Sequence, residues 1–206
     1  MVDERLILHT FVVGELQVNC YVFGDSSTKE VILIDPGAEP ERIKTFLKKS
    51  KLVLKYIVLT HGHYDHIGAL DNFFVPVYVQ SRDVELLVDS SKNLSAFLGE
   101  PKCFHPVVRI LEDKNILLIG KFSLEVIHTP GHTQGGICLK TNKILFSGDT
   151  LFYRSIGRTD LPGASLPQLL SSIRNRIMCL APEILVFPGH GQQTTIGEEK
   201  EENQFL

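Results

Sequence analysis

Short apolar runs separated by turn-forming residues recur along this chain, and their period predicts strands more often than helices. Runs rich in Val, Ile, Leu and aromatic residues, closed by Gly, Pro, Asn or Asp, are typical of β-strands. They predict strands at residues 6–13, 18–23, 31–34, 56–59, 75–80, 107–111, 116–119, 121–128, 136–140, 144–147 and 184–187. The runs at 136–140 and 144–147, joined by Thr-Asn-Lys, predict a hairpin.

Helical patterns are fewer and lie between the strands. Residues 40–49 begin with Pro and carry an apolar stripe on one face, which predicts a helix. Ser81 and Ser165 are expected to cap helices that reach about residues 88 and 178. Residues 68–74 fit a short helix.

Three stretches have weaker patterns. Residues 89–105 predict a loop with a short helix, which could form a flap over a site. Residues 151–164 are polar and contain glycine, as expected of a substrate loop. Residues 198–202 are charged and predict a frayed helix or tail.

The densest group of chemically active side chains is residues 60–68, Thr-His-Gly-His-Tyr-Asp-His-Ile-Gly, directly after the predicted strand 56–59. His61 and His63 stand two apart, so on extended backbone they share a face and can hold one ion, whereas on a helix they point apart. Asp65 and His66 are then free for a second ion. Because capping or surface roles rarely explain three histidines and an aspartate within six residues, the stretch predicts a metal site.

The composition is that of an ordinary globular protein, with 206 residues, 43% apolar and 22% charged, and it predicts one domain over residues 1–206. A net charge of −3 gives no general attraction to nucleic acid or membrane. The N-terminus, Met-Val-Asp-Glu-Arg, has no long apolar run behind it, so neither a signal peptide nor a transmembrane helix is expected. The expected location is the cytoplasm.

The cysteines have no CxxC spacing, and each lies in or beside an apolar run. They are interpreted as buried free thiols of a protein in a reducing compartment: Cys20, Cys103, Cys138 and Cys179.

One arrangement recurs at the ends of predicted strands, where a glycine permits a turn and a metal-type ligand lies beside it. It occurs at residues 61–66 and again at Asp35, His132, Asp149 and His190. Ligands placed just past several strand ends can converge on one edge of a sheet. The other histidines lie mid-strand or in the loop and are interpreted as core or surface residues: His9, His105 and His128.

This order of residues, His61-x-His63-x-Asp65-His66 followed by His132, Asp149 and His190, resembles the metallo-β-lactamase superfamily over residues 35–190. The resemblance implies an α/β (α+β) fold, an αββα sandwich of two mixed β-sheets flanked by helices, with the metals at one edge between the sheets. It implies that His61, His63 and His132 hold the first ion.

The same resemblance implies that Asp65, His66 and His190 hold a second ion and that Asp149 bridges the two. Asp35 is similar to the family's aspartate that orients a histidine of the central motif.

Imidazole and carboxylate ligands without thiolate suit two Zn²⁺ ions, and also Fe or Mn. Two such ions can share a hydroxide that attacks a carbonyl carbon, so the expected nucleophile is metal-bound hydroxide and no serine or cysteine is required. Asp65 and Asp149 are the side chains predicted to be catalytic beside this hydroxide.

A closer resemblance is to the glyoxalase II (hydroxyacylglutathione hydrolase) branch. It is carried by residues 148–152, Gly-Asp-Thr-Leu-Phe, and 155–163, Ser-Ile-Gly-Arg-Thr-Asp-Leu-Pro-Gly. Asn-Cys-Tyr at 19–21, Thr-Pro-Gly-His-Thr at 129–133 and Pro-Gly-His-Gly at 188–191 fit the same branch. This resemblance implies hydrolysis of a small-molecule thioester, such as the glutathione-linked S-lactoylglutathione.

The chain departs from the two-domain members of that branch. Sixteen residues follow His190, so the helical C-terminal glutathione-binding domain is expected to be absent, as in the single-domain members. Where long enzymes have a lysine and then a tyrosine, this chain has Arg158 and Asp160. Arg158 is predicted either to pair with a substrate carboxylate or to form a salt bridge with Asp160. Tyr153 and Arg154 are further candidates for substrate binding.

Other interpretations remain open from the sequence. Residues 154–160, Arg-Ser-Ile-Gly-Arg-Thr-Asp, are also similar to a segment of persulfide dioxygenases, which share the scaffold and use one iron. Another hydrolase of the same fold, or a metal-binding module without catalysis, are further alternatives. The oligomeric state is not indicated by the sequence.

Overall fold

The computed structural model describes residues 4–98 and 101–206, and its strands form two six-stranded sheets and one short ribbon. In chain order the strands are β1 (Leu6–Val13), β2 (Val18–Asp25), β3 (Glu30–Ile34), β4 (Val53–Val58), β5 (Val77–Gln80), β6 (Val108–Leu111), β7 (Ile116–Ile119), β8 (Phe122–His128), β9 (Ile137–Lys140), β10 (Ile144–Gly148), β11 (Leu151–Phe152), β12 (Ser155–Ile156), β13 (Leu185–Pro188) and β14 (Thr194–Thr195). The first sheet has the order β1-β2-β3-β4-β5-β6, the second β14-β13-β10-β9-β8-β7, and β11 pairs with β12. Both large sheets are mixed, since each contains parallel and antiparallel neighbours.

The helices lie outside the two sheets or in the connections at their edge. They are α1 (Pro40–Lys49), α2 (Tyr64–Ile67), α3 (Val84–Val88), α4 (Ser95–Leu98), α5 (Leu166–Ser172) and α6 (Ile196–Glu202). None of the helices in the described ranges has the length and apolar character needed to cross a membrane.

Alternation along the strands produces three apolar layers. In β3, Val31 and Leu33 face outward and pack in one cluster with Ile43 of α1, whereas Ile32 and Ile34 face the second sheet. All of these side chains are fully buried, and each contributes roughly 1.5–3 kcal/mol relative to exposure.

The second sheet repeats this arrangement. Phe146 of β10 lies in the layer between the sheets, and its neighbour Leu145 faces outward. There Leu145 packs in one cluster with Leu169 of α5 and Ile196 of α6. The predicted αββα sandwich is thus confirmed.

Several local predictions differ from the structure. Ser81 does not cap a helix; it opens a 3₁₀ turn at Ser81–Asp83, and the Gln80 side chain accepts a hydrogen bond from the Arg82 amide. Ser165 does cap α5, by accepting from the Gln168 amide, but the helix changes to a π-type turn at Ile173–Ile177.

Residues 198–202, predicted as a frayed helix or tail, do belong to a helix, α6, but this helix is anchored and is not frayed. Its residues Ile196 and Glu199 are fully buried, and the Thr195 side chain caps it by accepting from the Glu198 amide. The prediction of four buried thiols is half wrong: Cys20 and Cys138 are buried, whereas Cys103 and Cys179 are exposed. The neighbours of these two thiols pack without them: Phe104 belongs to the outer cluster of the first sheet, and Met178 and Leu180 pack against that of the second.

Candidate metal centre

Two pairs of parallel strands bring the ends of four strands to one edge of the sandwich. β3 is parallel to β4, so Asp35 and His61 follow strands that end side by side. β10 is parallel to β13, so Asp149 and His190 also follow neighbouring ends. An isolated bridge between Val18 and His190 joins the edges of the two sheets at this point. The fold therefore places the predicted ligands at one edge between the sheets.

The first group of converging side chains is His61, His63 and His132, whose ligand-type atoms lie within 4.8 Å of one another. His63 Nδ1 lies 2.9 Å from His132 Nε2. His61 Nε2 is buried and has no hydrogen-bond partner in the structure. Because a buried imidazole nitrogen is almost always paired, this orphaned atom fits a metal ligand.

The second group is Asp65, His66 and His190. His190 Nε2 lies 3.3 Å from Asp65 Oδ2, and His66 Nε2 lies 3.8 Å from the same oxygen. The two Nε2 atoms are 3.4 Å apart. Two imidazole nitrogens and a carboxylate oxygen thus face one small volume.

Asp149 lies between the two groups. Its Oδ1 is 3.3 Å from His66 Nε2, and its Oδ2 is 3.5 Å from His132 Nε2 and 3.7 Å from His190 Nε2. Oδ1 is buried and makes no hydrogen bond. The structure therefore brings all seven predicted ligands together, and the Asp149 carboxylate lies within 3.7 Å of histidines from both groups; their roles as ligands remain a prediction.

Backbone carbonyls hold the outward nitrogens of two of these histidines. His132 Nδ1 donates to the Arg158 carbonyl at 2.8 Å, and His190 Nδ1 donates to the Leu16 carbonyl at 2.9 Å. Because Nδ1 carries the hydrogen in these bonds, Nε2 is left with its lone pair facing the cluster.

Asp35 lies where the sequence predicted an orienting aspartate. Its side chain is 1% exposed, and its Oδ2 is 3.0 Å from His66 Nδ1. It also accepts hydrogen bonds from the Thr60 amide at 2.8 Å and the Thr60 hydroxyl at 2.6 Å. The carboxylate thereby fixes the His66 ring and the start of the ligand loop together.

The first group is electrically suited to bind a cation through neutral rings. Burial, reinforced by the charge of His66, holds the pKa of His61 well below its usual range. Burial, with His132 nearby, lowers the pKa of His63 to about 3. Both rings are therefore neutral at physiological pH and can offer a lone pair.

The second group instead concentrates negative charge. Burial lowers the pKa of His66, but Asp149, Asp65 and Asp35 outweigh it and raise that pKa well above the ordinary value. Burial opposes ionisation of Asp149, yet His66 and the other histidines hold its pKa well below the usual range. The field that favours a proton on His66 equally favours a metal cation at this position.

Asp83 joins the loops of the centre, and the sequence pattern did not indicate this role. It is fully buried, and its Oδ2 accepts from the Gly62 amide at 3.0 Å and the Thr133 hydroxyl at 2.8 Å. Its Oδ1 accepts from the Gly135 amide at 2.6 Å. Since Gly62 separates His61 from His63 and Thr133 follows His132, this carboxylate joins the two loops of the first group.

An open cavity of about 770 Å³ lies over the cluster and exposes five of the seven predicted ligands to it. These are His63, Asp65, His132, Asp149 and His190. A small molecule that enters the cavity therefore meets both groups of ligands.

Of the predicted substrate-binding residues, Arg158 lines the cavity. Its guanidinium makes two hydrogen bonds of 2.8 Å to Asp160, which is the salt bridge expected as one of its two roles. Arg154 and Tyr153 are not among the residues that line it; Arg154 pairs with Glu202 on α6 at 2.9 Å and stacks its guanidinium over the Tyr153 ring.

Comparison with known proteins agrees with this arrangement. The family model described as the metallo-beta-lactamase superfamily matches residues 13–190. A relative from Haemophilus influenzae named hydroxyacylglutathione hydrolase GloC is 37% identical, and the match covers 94% of this chain and 95% of that protein. A Bacillus subtilis relative named Probable metallo-hydrolase YqgX is 38% identical over 94% of each chain.

Two solved structures are similar throughout. The crystal structure of BLEG-1 B3 metallo-beta-lactamase has a TM-score of 0.91 and 40% identity, and the match covers 97% of this chain and 99% of that one. The crystal structure of TTHA1623 in a di-iron-bound form has a TM-score of 0.85 and 36% identity, covering 96% of this chain and 100% of that one.

Proposed function

The chain belongs to the metallo-beta-lactamase superfamily, and from this premise we propose that it is a metal-dependent hydrolase that cleaves a thioester. The observation that carries the proposal is Asp149, which lies between the two groups of predicted ligands and lines an open cavity. The relative named hydroxyacylglutathione hydrolase supports S-lactoylglutathione as the first substrate to test.

The donor set fits two metal ions. Seven imidazole and carboxylate side chains without thiolate suit Zn²⁺, Fe or Mn, and the orphaned His61 Nε2 and Asp149 Oδ1 are free to coordinate. We propose two Zn²⁺ ions, while the di-iron form of a similar structure supports iron as the alternative. When bound, the metals supply a nucleophilic hydroxide at neutral pH and polarise the substrate carbonyl.

The protein's own residues would hold this chemistry in place. His61, His63 and His132 would bind one ion, and Asp65, His66 and His190 the other, with Asp149 shared. Asp35 would keep the His66 ring in the tautomer whose Nε2 faces the cluster, through the 3.0 Å contact with Nδ1. A thioester suits such a site because its carbonyl is electrophilic and its thiolate leaves readily.

The test combines metal analysis of the purified protein with turnover of a thioester panel that includes S-lactoylglutathione. Two equivalents of metal and turnover are expected; metal-loaded protein that hydrolyses no thioester would refute the proposal. Oxygen uptake with glutathione persulfide by protein holding one iron would favour the dioxygenase alternative. Tight metal binding with no turnover on any substrate would favour a binding module.

Asp149→Ala tests the role of the shared carboxylate, and Asp71→Ala is its control. Because it removes the carboxylate shared by both groups, turnover should fall by more than about a hundredfold, the upper end for residues that only orient ligands. Asp71→Ala, at a half-exposed carboxylate outside the cluster, should retain wild-type turnover. Circular dichroism confirms that both variants fold. Preserved turnover in Asp149→Ala would contradict the proposed role.

A further inference from the structure

The lining of the cavity over the ligand cluster includes apolar side chains from two segments of the chain, which we call its two apolar walls. One wall consists of Leu94 and Phe97, from the connection between α3 and β6. The other consists of Phe152, Leu161 and Pro162, from the segment that follows Asp149. Phe97 is 73% exposed although it is large and apolar. Exposed apolar side chains grouped around a catalytic cleft are typical of a surface that a ligand covers.

The first wall is held in place by buried polar contacts. Leu94 has a φ of 72°, a left-handed conformation that a bulky residue adopts only when its surroundings impose it. The neighbours Asn93 and Ser95 are fully buried, and the Asn93 side chain accepts a hydrogen bond from the Ser95 amide at 2.9 Å. The strained backbone therefore keeps the Leu94 side chain at the cavity.

This wall is also attached to the ligand loop. The Asn93 carbonyl accepts a hydrogen bond of 2.8 Å from the amide of Tyr64, which lies between His63 and Asp65. The position of the apolar wall is thus set relative to both groups of ligands. Such a fixed contact favours a specific binding surface over an incidental patch.

The charges around the cavity also favour an apolar ligand over an anionic one. In the part of the chain that the structure describes, Arg158 is the one Lys or Arg side chain that lines it, and Asp160 already neutralises that guanidinium with two hydrogen bonds. Arg154 is engaged by Glu198 and Glu202. A glutathione group carries two carboxylates, and these walls offer no unpaired cation for them.

We propose that the substrates are thioesters whose acyl group is apolar, aliphatic or aromatic, and lies between the two walls, in preference to the short hydroxylated acyl group of a lactoyl thioester. This inference rests on the proposed thioester hydrolase activity. The reaction adds one water to the carbonyl carbon and breaks the C–S bond. It releases a carboxylate, a proton and the thiol.

The experiment compares acetyl and hexanoyl thioesters of one neutral thiol, N-acetylcysteamine, with each rate divided by that of uncatalysed hydrolysis. Since a methylene in an apolar pocket changes kcat/KM by about tenfold or more, the hexanoyl thioester should be preferred by at least about tenfold. S-lactoylglutathione and S-hexanoylglutathione repeat the comparison on a charged thiol. Equal values for the short and long acyl groups would overturn the inference.

Variants test whether the walls cause the preference. Phe97→Ala should reduce the hexanoyl-to-acetyl ratio about tenfold, and Leu94→Gly should reduce it too, with a residue that tolerates the positive φ. Phe74→Ala, at a Phe that is 97% exposed and does not line this cavity, should leave the ratio unchanged. A Phe97→Ala variant with the wild-type ratio would overturn the inference. Absence of turnover on every thioester would instead refute the proposed function.

Discussion

Replacing Asp83 should separate the positioning of the ligand loops from the stability of the fold. Its carboxylate accepts hydrogen bonds from the Gly62 amide, the Thr133 hydroxyl and the Gly135 amide. In Asp83→Ala these three buried donors lose their acceptor. In Asp83→Asn one oxygen remains, and the new NH₂ group faces one of the former donors.

The magnitudes follow from two opposing effects. Each lost hydrogen bond to a charged acceptor is worth about 1.5–3 kcal/mol. Burial raises the pKa of Asp83 despite its hydrogen bonds, so the fold also bears the desolvation of this charge, which both variants remove. We therefore expect a loss in the free energy of unfolding of about 3 kcal/mol for Asp83→Ala and about 1 kcal/mol for Asp83→Asn.

The variants should also weaken metal binding. Without the carboxylate, the loop of His61 and His63 is no longer joined to the loop of His132, and metal affinity should fall 10–100-fold, as for other residues that orient ligands. Competition with a chromogenic chelator measures this affinity, and thermal or urea unfolding of the metal-free protein measures stability.

Asp25→Asn is the matched control. Asp25 is also an almost fully buried aspartate, and it likewise accepts three hydrogen bonds, from the Ser27 amide, the Ser27 hydroxyl and the Lys121 amide. It lies at the end of β2 opposite to the ligand cluster. This variant should lower stability and leave metal affinity unchanged. If the Asp83 variants behave in the same way, the positioning role is refuted.

Two further predictions concern metal removal and backbone space. Because neighbouring carboxylates outweigh burial and raise the pKa of His66, its contribution to metal-free stability is complete below pH 6.5 and is lost as pH rises through the folded pKa. The Tm of the protein measured with chelator should fall above about pH 6.5, whereas the Tm of the metal-loaded protein should stay constant or rise. Parallel curves of Tm against pH for the two forms would contradict this prediction. In Gly189→Ala, the new Cβ would overlap Asp149 and His66, so metal binding should be lost. Gly191→Ala meets no atom, but its φ of 76° favours glycine, so this variant should lose some stability and still retain metal. Equal metal affinities of the two variants would refute the steric argument.

The fold was predictable because its main signals are local. The apolar run at 31–34 predicted β3, in which Val31 and Ile32 face opposite sides of the sheet, and Pro40 with its apolar stripe marked both ends of α1 correctly. The convergence of His61 to His66 with His132, Asp149 and His190 was also predictable, since each residue follows the end of a strand and carries a recognisable ligand.

Asp83 was not predictable for a physical reason. In the sequence it reads as an acidic residue in the first turn of a helix, whereas its partners are mostly backbone amides 21 and 52 residues away. Because every residue except proline carries the same backbone amide, the sequence does not indicate which amides a carboxylate will bind. The same reason hid the contacts of His132 and His190 with backbone carbonyls.

The two sheets supply the ligands separately, and the hydrogen bonds between the sheets complete the centre. Asp35 and residues 61–66 follow strands of the first sheet, whereas Asp149 and His190 follow strands of the second. Asn19 of β2 donates to the Pro188 carbonyl at 3.0 Å and to the Gly191 carbonyl at 2.9 Å. These bonds enclose His190, so they fix its strand end against the first sheet. The distances between the groups thus depend on how the sheets are joined at this edge as well as on the ligand loops themselves.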